Sequence, residues 1–267
     1  MFKLLIQKLN SFSIQLLLCY FLIGCGGDTK DKPQVIETPP TIVTQISLSE
    51  RLNNYLIDNF SQTQPGIVAL VAQGENKIYQ GAVGLANINS NLAIDADTPF
   101  RLASVSKPFT ATAVIQLVEQ GRINLDNSVR DYIPELDLSW QSITVIDLLS
   151  HQSGIPNFFT DEFISAIGWH WLEGLSNQRV LNYFVQNPTL DFIPQHNAKY
   201  SNSNFILLAE IIERVTLDSF ANYMESYIFS PYALSSSYIV NETSTPLQTE
   251  AMNYGSSYQI YNTELYI

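Results

Sequence analysis

Two β-rich runs, residues 66–72 and 78–85, flank Gly74-Glu75-Asn76. Polar and glycine residues between two such runs read as a hairpin turn. This hairpin constrains the fold more than any other feature of the chain. An isolated two-stranded hairpin is marginal in water, so something must cover it. The rest of the sequence offers helices for that task. Residues 49–60 carry Leu52, Tyr55, Leu56 and Phe60 at helical spacing. Residues 108–120 begin with proline and are followed by Gly121, the expected punctuation of a helix. Thr144 opens a short helix to residue 150, and Pro188 stops another over 177–186. Residues 202–215 are strongly periodic through Phe205, Leu208, Ala209, Ile212 and Val215, and 219–229 follow as a further helix. A hairpin followed mostly by helices predicts an α+β fold.

Composition permits such a core. Hydrophobic residues make up 46% and charged residues 14%, with 14 Phe, 14 Tyr and 3 Trp to fill it. This excludes intrinsic disorder, and 12 Gly with 12 Pro exclude a collagen-like chain. The net charge is −12, with 13 Lys+Arg and no basic cluster. Nucleic acid is therefore not expected as a partner, because phosphate neutralisation needs a basic patch. A polybasic membrane anchor is excluded on the same ground. The acidic excess reads as a solvated surface.

The 267 residues do not all belong to one fold. Residues 1–24 read as an export signal: Lys3 and Lys8 form a positive start, and 12–24 are apolar and uncharged. That stretch is shorter than the roughly 20 residues a membrane-spanning helix needs. It ends in Leu22-Ile23-Gly24-Cys25, which resembles a bacterial lipobox. The resemblance implies cleavage before Cys25 and lipidation of its thiol; the competing reading is an uncleaved amino-terminal anchor. Gly26, rather than aspartate, resembles outer-membrane sorting in a Gram-negative cell. The expected location is thus the cell envelope, with the lipid as the membrane contact. Removal of Lys3 and Lys8 would take the net charge from −12 to −14. Cys19 would leave with the signal, so no disulfide is expected. Residues 25–46, with Pro33, Pro39 and Pro40, read as a flexible tether reaching roughly 25 Å. The globular domain is assigned to 47–267.

Several familiar sites are absent. There is no G-x-S-x-G elbow, no H-E-x-x-H and no glycine-rich phosphate loop. His151, His170 and His196 are not at metal-ligand spacing, so neither a metal nor a cofactor is expected. One constellation remains. Ser104-Val105-Ser106-Lys107 is an S-x-x-K motif at a helix start. Residues three apart share a helix face, so the lysine amine can reach the serine hydroxyl. A neutral lysine could accept the serine proton. The helix N-terminus adds N–H groups and a positive dipole end, which favour charge developing on a carbonyl oxygen. The second element is Tyr200-Ser201-Asn202. Tyrosine can relay protons, and an asparagine amide can bind a substrate amide from both sides.

Longer stretches carry a resemblance. FRLASVSKPFTATAVIQLVEQGRINLD at 100–126, TVIDLLSHQSGIP at 144–156, YSNSNFILLAEIIERV at 200–215 and IFSP at 228–231 resemble, in order, segments of the serine β-lactamase and penicillin-binding-protein superfamily. They look most like its class C β-lactamase-related branch, which includes D-alanyl-D-alanine carboxypeptidases and esterases. The resemblance spans roughly 47–254. It implies a β-lactamase/transpeptidase-like fold, an antiparallel sheet with a helical domain. It also implies roles: Ser104 as acylated nucleophile, Lys107 as aid to its deprotonation, Tyr200 as general base and then proton donor, and Asn202 as holder of the substrate amide. Because the identity of the base is disputed in this superfamily, a Lys107–Tyr200 pair is the reading adopted. The implied substrates are β-lactams, D-Ala-D-Ala peptides of the wall, or small esters and amides.

The chain departs from the pattern too. A third motif, K-[ST]-G or H-x-G, is expected near the carboxyl end; no Lys or His here has Gly two positions on. The sequence reaches Ile267 soon after Ala251-Met252-Asn253-Tyr254, so the C-terminal strands are expected to be missing and only the hairpin to remain of the sheet. Helices that would cover that sheet would then expose apolar faces. One oxyanion donor would go with the missing strand, typically a loss of roughly 100- to 1000-fold in rate. The alternative to an active hydrolase is therefore a catalytically inactive, truncated family member. Smaller departures are Gln195 and Ala233, where Gly is usual, Leu234 where Met is usual, and Gln152 where Thr is usual. Ser106 reads as a helix-start residue and His151 as a hydrogen-bonding residue below the site. His170 reads as packing, and the aromatic cluster 158–171 as core or lid, or alternatively as the wall of a hydrophobic cleft.

Overall fold

The computed structural model describes residues 46–160, 165, 176–240 and 251. The chain divides into two units, Met1–Gln45 and Ile46–Ile267. The signal, Cys25, all but one residue of the tether, His170 and most of the 158–171 aromatic cluster lie outside the described residues.

Helix α1 (Leu48–Asn59) starts where Ser47 and Glu50 form a capping box. The Glu50 N–H donates to Ser47 Oγ at 3.1 Å, and the Ser47 N–H donates to Glu50 Oε2 at 2.7 Å. Strands β1 (Ile67–Gln73) and β2 (Asn76–Val83) pair antiparallel around the expected turn, where Gly74 has φ +58. Leu52 and Leu56 of α1 pack against Ile67, Ala69, Val71, Tyr79 and Val83 on one face of the hairpin. The other face is thinner: Val68 and Ala82 meet Ala86, Ile94 and Ala251, while Leu70 stays 63% exposed. A second hairpin, β3 (Leu85–Asn87) with β4 (Leu92–Ala93), corrects the expectation of a single one. Strands of two or three residues carry no readable alternation. Among the described residues no strand follows Ala93.

The helical region is built differently. Its elements are α2 (Lys107–Glu119), α3 (Val129–Tyr132), α4 (Val145–Leu149), α5 (Asn177–Gln186), α6 (Ser203–Thr216) and α7 (Phe220–Met224). Helix α6 is buried on every side from Ser203 to Ile212. A helix buried all round must be surrounded, and α2, α3, α4, α5 and α7 all contact it. Ala113, Val114, Leu117, Val145, Leu148, Val180, Leu181 and Phe184 close around it. Trp140 is fully buried, and its indole N–H donates to the Pro188 carbonyl at 3.0 Å. The 219–229 segment is not one α-helix: α7 passes into a π turn at Glu225–Phe229.

Candidate active site

The S-x-x-K motif straddles two helical types. Ala103–Ser106 form a 3₁₀ turn and α2 begins at Lys107, with Pro108 in its first turn. Side chains three apart eclipse in a 3₁₀ turn. Lys107 Nζ thus donates to Ser104 Oγ at 3.3 Å. Ala103, immediately before the serine, has φ +47, a left-handed conformation that costs energy for a residue with a Cβ.

Lys107 is 6% exposed. Its amine donates to Asn202 Oδ1 at 2.8 Å and lies 5.0 Å and 5.4 Å from the ring centres of Tyr200 and Phe205. Burial pushes its pKa below the ordinary lysine range, while the bond to Tyr200 works in the opposite direction. The Tyr200 and Ser104 hydroxyl oxygens are 2.7 Å apart. The structure therefore brings all four residues, Ser104, Lys107, Tyr200 and Asn202, into one connected cluster.

Local folding explains how. Tyr200 and Asn202 sit just before α6, whose start is sewn to the 153–158 loop. Ser203 Oγ donates to the Pro156 carbonyl at 2.6 Å and accepts the Phe158 N–H at 3.0 Å. Ser201 Oγ donates to the same carbonyl at 3.2 Å, and the Asn202 N–H donates to Asn157 Oδ1 at 3.1 Å. The loop passes Gly154 at φ +76, where an added Cβ would meet the Phe192 carbonyl oxygen at 2.2 Å. No other residue fits. His151 lies below Tyr200, as expected, with ring centres 4.6 Å apart. Burial, and then the nearby charge of Lys107, lowers its pKa. His196 stands apart from the cluster, with Nδ1 3.0 Å from the Pro194 carbonyl.

Asn157 and Phe205 were not legible as site residues. Phe205 reads as one more apolar position of a helix, and Asn157 follows a proline in a loop. Gln195 and Ala233, the two positions where the resemblance expects glycine, have φ +69 and φ +56. Their left-handed backbone is what glycine would relieve.

A serine hydroxyl bridged to a buried amine and a phenol is a recurring device for acyl transfer. The family model described as Beta-lactamase matches residues 52–263. The chain belongs to the beta-lactamase family. A penicillin-binding protein of Bacillus subtilis (strain 168) is 28% identical over 204 residues, covering 74% of this chain and 43% of its own length. Among solved structures, an octameric penicillin-binding protein homologue from Pyrococcus abyssi superposes with TM-score 0.65 at 25% identity, over 79% of this chain and 48% of that one. D-amino acid amidase from Ochrobactrum anthropi SV3, complexed with D-phenylalanine, gives TM-score 0.63 at 25% identity, over 77% and 55%. The fold is β-lactamase/transpeptidase-like. The chain spans about half the length, or less, of these relatives.

Proposed function

We propose that this beta-lactamase family member acts as a serine hydrolase through an acyl-enzyme on Ser104. The observation that carries the reading is the cluster itself: Ser104 Oγ lies 2.7 Å from Tyr200 Oη and 3.3 Å from Lys107 Nζ. Ser104 Oγ attacks the substrate carbonyl carbon, and its proton passes to the Lys107–Tyr200 pair. Burial of Lys107 favours the neutral amine that can take it. The carbonyl C–N or C–O bond then breaks, and Tyr200 returns the proton to the leaving group. Water releases the acyl group by the reverse relay. Asn202 has its oxygen committed to Lys107, so its N–H₂ is what it offers a substrate carbonyl.

β-Lactams, D-Ala-D-Ala wall peptides and small esters or amides are the proposed substrates. The penicillin-binding and D-amino acid amidase relatives support this range. Lipidation at Cys25 is proposed to hold the domain at the cell envelope; metabolic labelling with a palmitate analogue, lost in Cys25→Ala, tests it. A second reading is binding or acylation without turnover. Hydrolysis of nitrocefin and p-nitrophenyl acetate separates the two. Turnover above a Ser104→Ala control supports the hydrolase; acyl labelling without turnover supports the binder.

A further inference from the structure

His151 is built into the site more deeply than a packing residue needs to be. It ends α4 in a left-handed turn with φ +59. The Ser150 N–H donates to the Ile146 carbonyl at 3.0 Å, and the Gln152 N–H reaches back to the Asp147 carbonyl at 2.8 Å. Helix ends of this form usually carry glycine. Histidine enters this region more readily than most residues with a Cβ, so what singles it out here is what its side chain and carbonyl bond to.

That side chain and its own carbonyl bracket the segment carrying Tyr200. The His151 carbonyl accepts the Lys199 N–H at 3.0 Å. Nδ1 accepts the Ser201 N–H at 3.3 Å. Between these two anchors the Tyr200 ring rests on the imidazole, 4.6 Å centre to centre and tilted by 40°. Phe205 supports the imidazole at 5.5 Å. Tyr200 is half exposed, so these contacts, with the Ser104 hydroxyl, set where its phenol points.

The surrounding bonds also fix the tautomer. Ser153 Oγ accepts the Ile155 N–H at 3.1 Å and donates to Asn204 Oδ1 at 2.7 Å. The Asn204 oxygen is thereby committed, and its Nδ2 faces His151 Nδ1 at 3.1 Å. Two donors converge on Nδ1, so it is the acceptor nitrogen and a neutral ring carries its proton on Nε2. Lys107 from α2 and Tyr200 from the segment before α6 are the titratable groups facing the ring. Burial first and the Lys107 charge second hold the imidazole below its ordinary pKa. A proton on Nδ1 would break both bonds and release the clamp.

We propose that His151, as the neutral Nε2–H tautomer, is a positioning residue that holds Tyr200 in register with Ser104. This rests on the functional reading above, and the test keeps the two separable. The ¹⁵N shifts of the His151 ring in the whole chain report the tautomer without reference to activity. A protonated Nε2 is expected; a proton on Nδ1 at neutral pH overturns the inference. Tyr200 ring resonances, assigned by their loss in Tyr200→Phe, should shift in His151→Gly; unchanged resonances would overturn it as well.

The kinetic arm uses three variants. His151→Gly relaxes the left-handed backbone but removes the clamp, and its kcat should fall about 100-fold with KM little changed. His151→Phe keeps a ring without the acceptor and should be equally impaired. His151→Asn tolerates the backbone and places an acceptor near the Nδ1 position, so it should recover about 10-fold of the loss. The wild-type rate should fall as His151 protonates, and His151→Asn should lack that acid limb. His151→Gly with full kcat, or an unchanged acid limb in His151→Asn, would contradict the proposal. Absence of any Ser104 acylation in the wild type would instead defeat the functional reading, leaving the tautomer and resonance measurements to decide the role of His151.

Discussion

The hairpin layer and the helical region are held together by different amounts of burial. On the hairpin, α1 covers one face, while Leu70 on the other is 63% exposed. In the helical region α6 is buried along ten consecutive residues, Ser203 to Ile212. All four site residues belong to the second region, at the approaches to α2 and α6. Among the described residues, these four side chains are therefore positioned by helix packing and one loop rather than by the strands β1–β4.

Gly154→Ala should produce the largest effect. Its Cβ would have to displace the Phe192 backbone, in a loop bonded directly to the start of α6. We expect a loss of about 3 kcal/mol with Ser104 acylation lost, measured by urea unfolding and adduct formation. Wild-type stability in this variant would break the link between loop and site.

Two leucine truncations compare the regions directly. Leu208 in α6 is fully buried, and Leu208→Ala should cost about 3 kcal/mol. Leu56 in α1 is 6% exposed and faces a thinner layer, so Leu56→Ala should cost about 2 kcal/mol. The sharper contrast is functional: only the α6 variant should slow Ser104 acylation under conditions where both remain folded. Equal slowing would show that the hairpin bears on the site.

Smaller effects test the backbone. Ala233 has φ +56 and the side chain has no hydrogen bonds to lose. Ala233→Gly should stabilise by about 0.5–1 kcal/mol, seen as a raised Tm, without changing activity. The same substitution at His151 should cost activity, which separates ordinary strain from strain that serves the site. Leu70→Thr, on the open hairpin face, should fall within about 0.5 kcal/mol of wild type. A large loss there would mean that the face is covered in solution.

The legibility of the chain follows the same division. Asn177–Gln186 was readable because Pro188 follows it closely, and the structure adds the Ser176 side chain as its cap. Helix α6 was readable from its spacing, although its polar first turn, Ser203 and Asn204, is also buried, which periodicity alone does not suggest. Strands β3 and β4 and the four-residue α3 were too short to show a period. At the site, sequence spacing and resemblance named Ser104, Lys107, Tyr200 and Asn202, and folding brings them into contact. The support beneath them was not readable. Asn157, Ser153 and Phe205 act through contacts between segments 45 to 54 residues apart. Ala103 and His151 are left-handed without the glycine that would mark such a turn in the sequence.

The central claim is that Ser104 is the acylated nucleophile, activated by a buried amine. Intact-mass and peptide-mapping spectrometry of the chain treated with a fluorescent penicillin or a fluorophosphonate, across a pH series, tests it most directly. The expected result is one adduct on Ser104, absent in Ser104→Ala. Its rate should rise with pH through a lysine ionisation below the ordinary value of 10.5, and Lys107→Arg should abolish that rise. An adduct that persists in Ser104→Ala, or a rate indifferent to Lys107→Arg, would contradict the account.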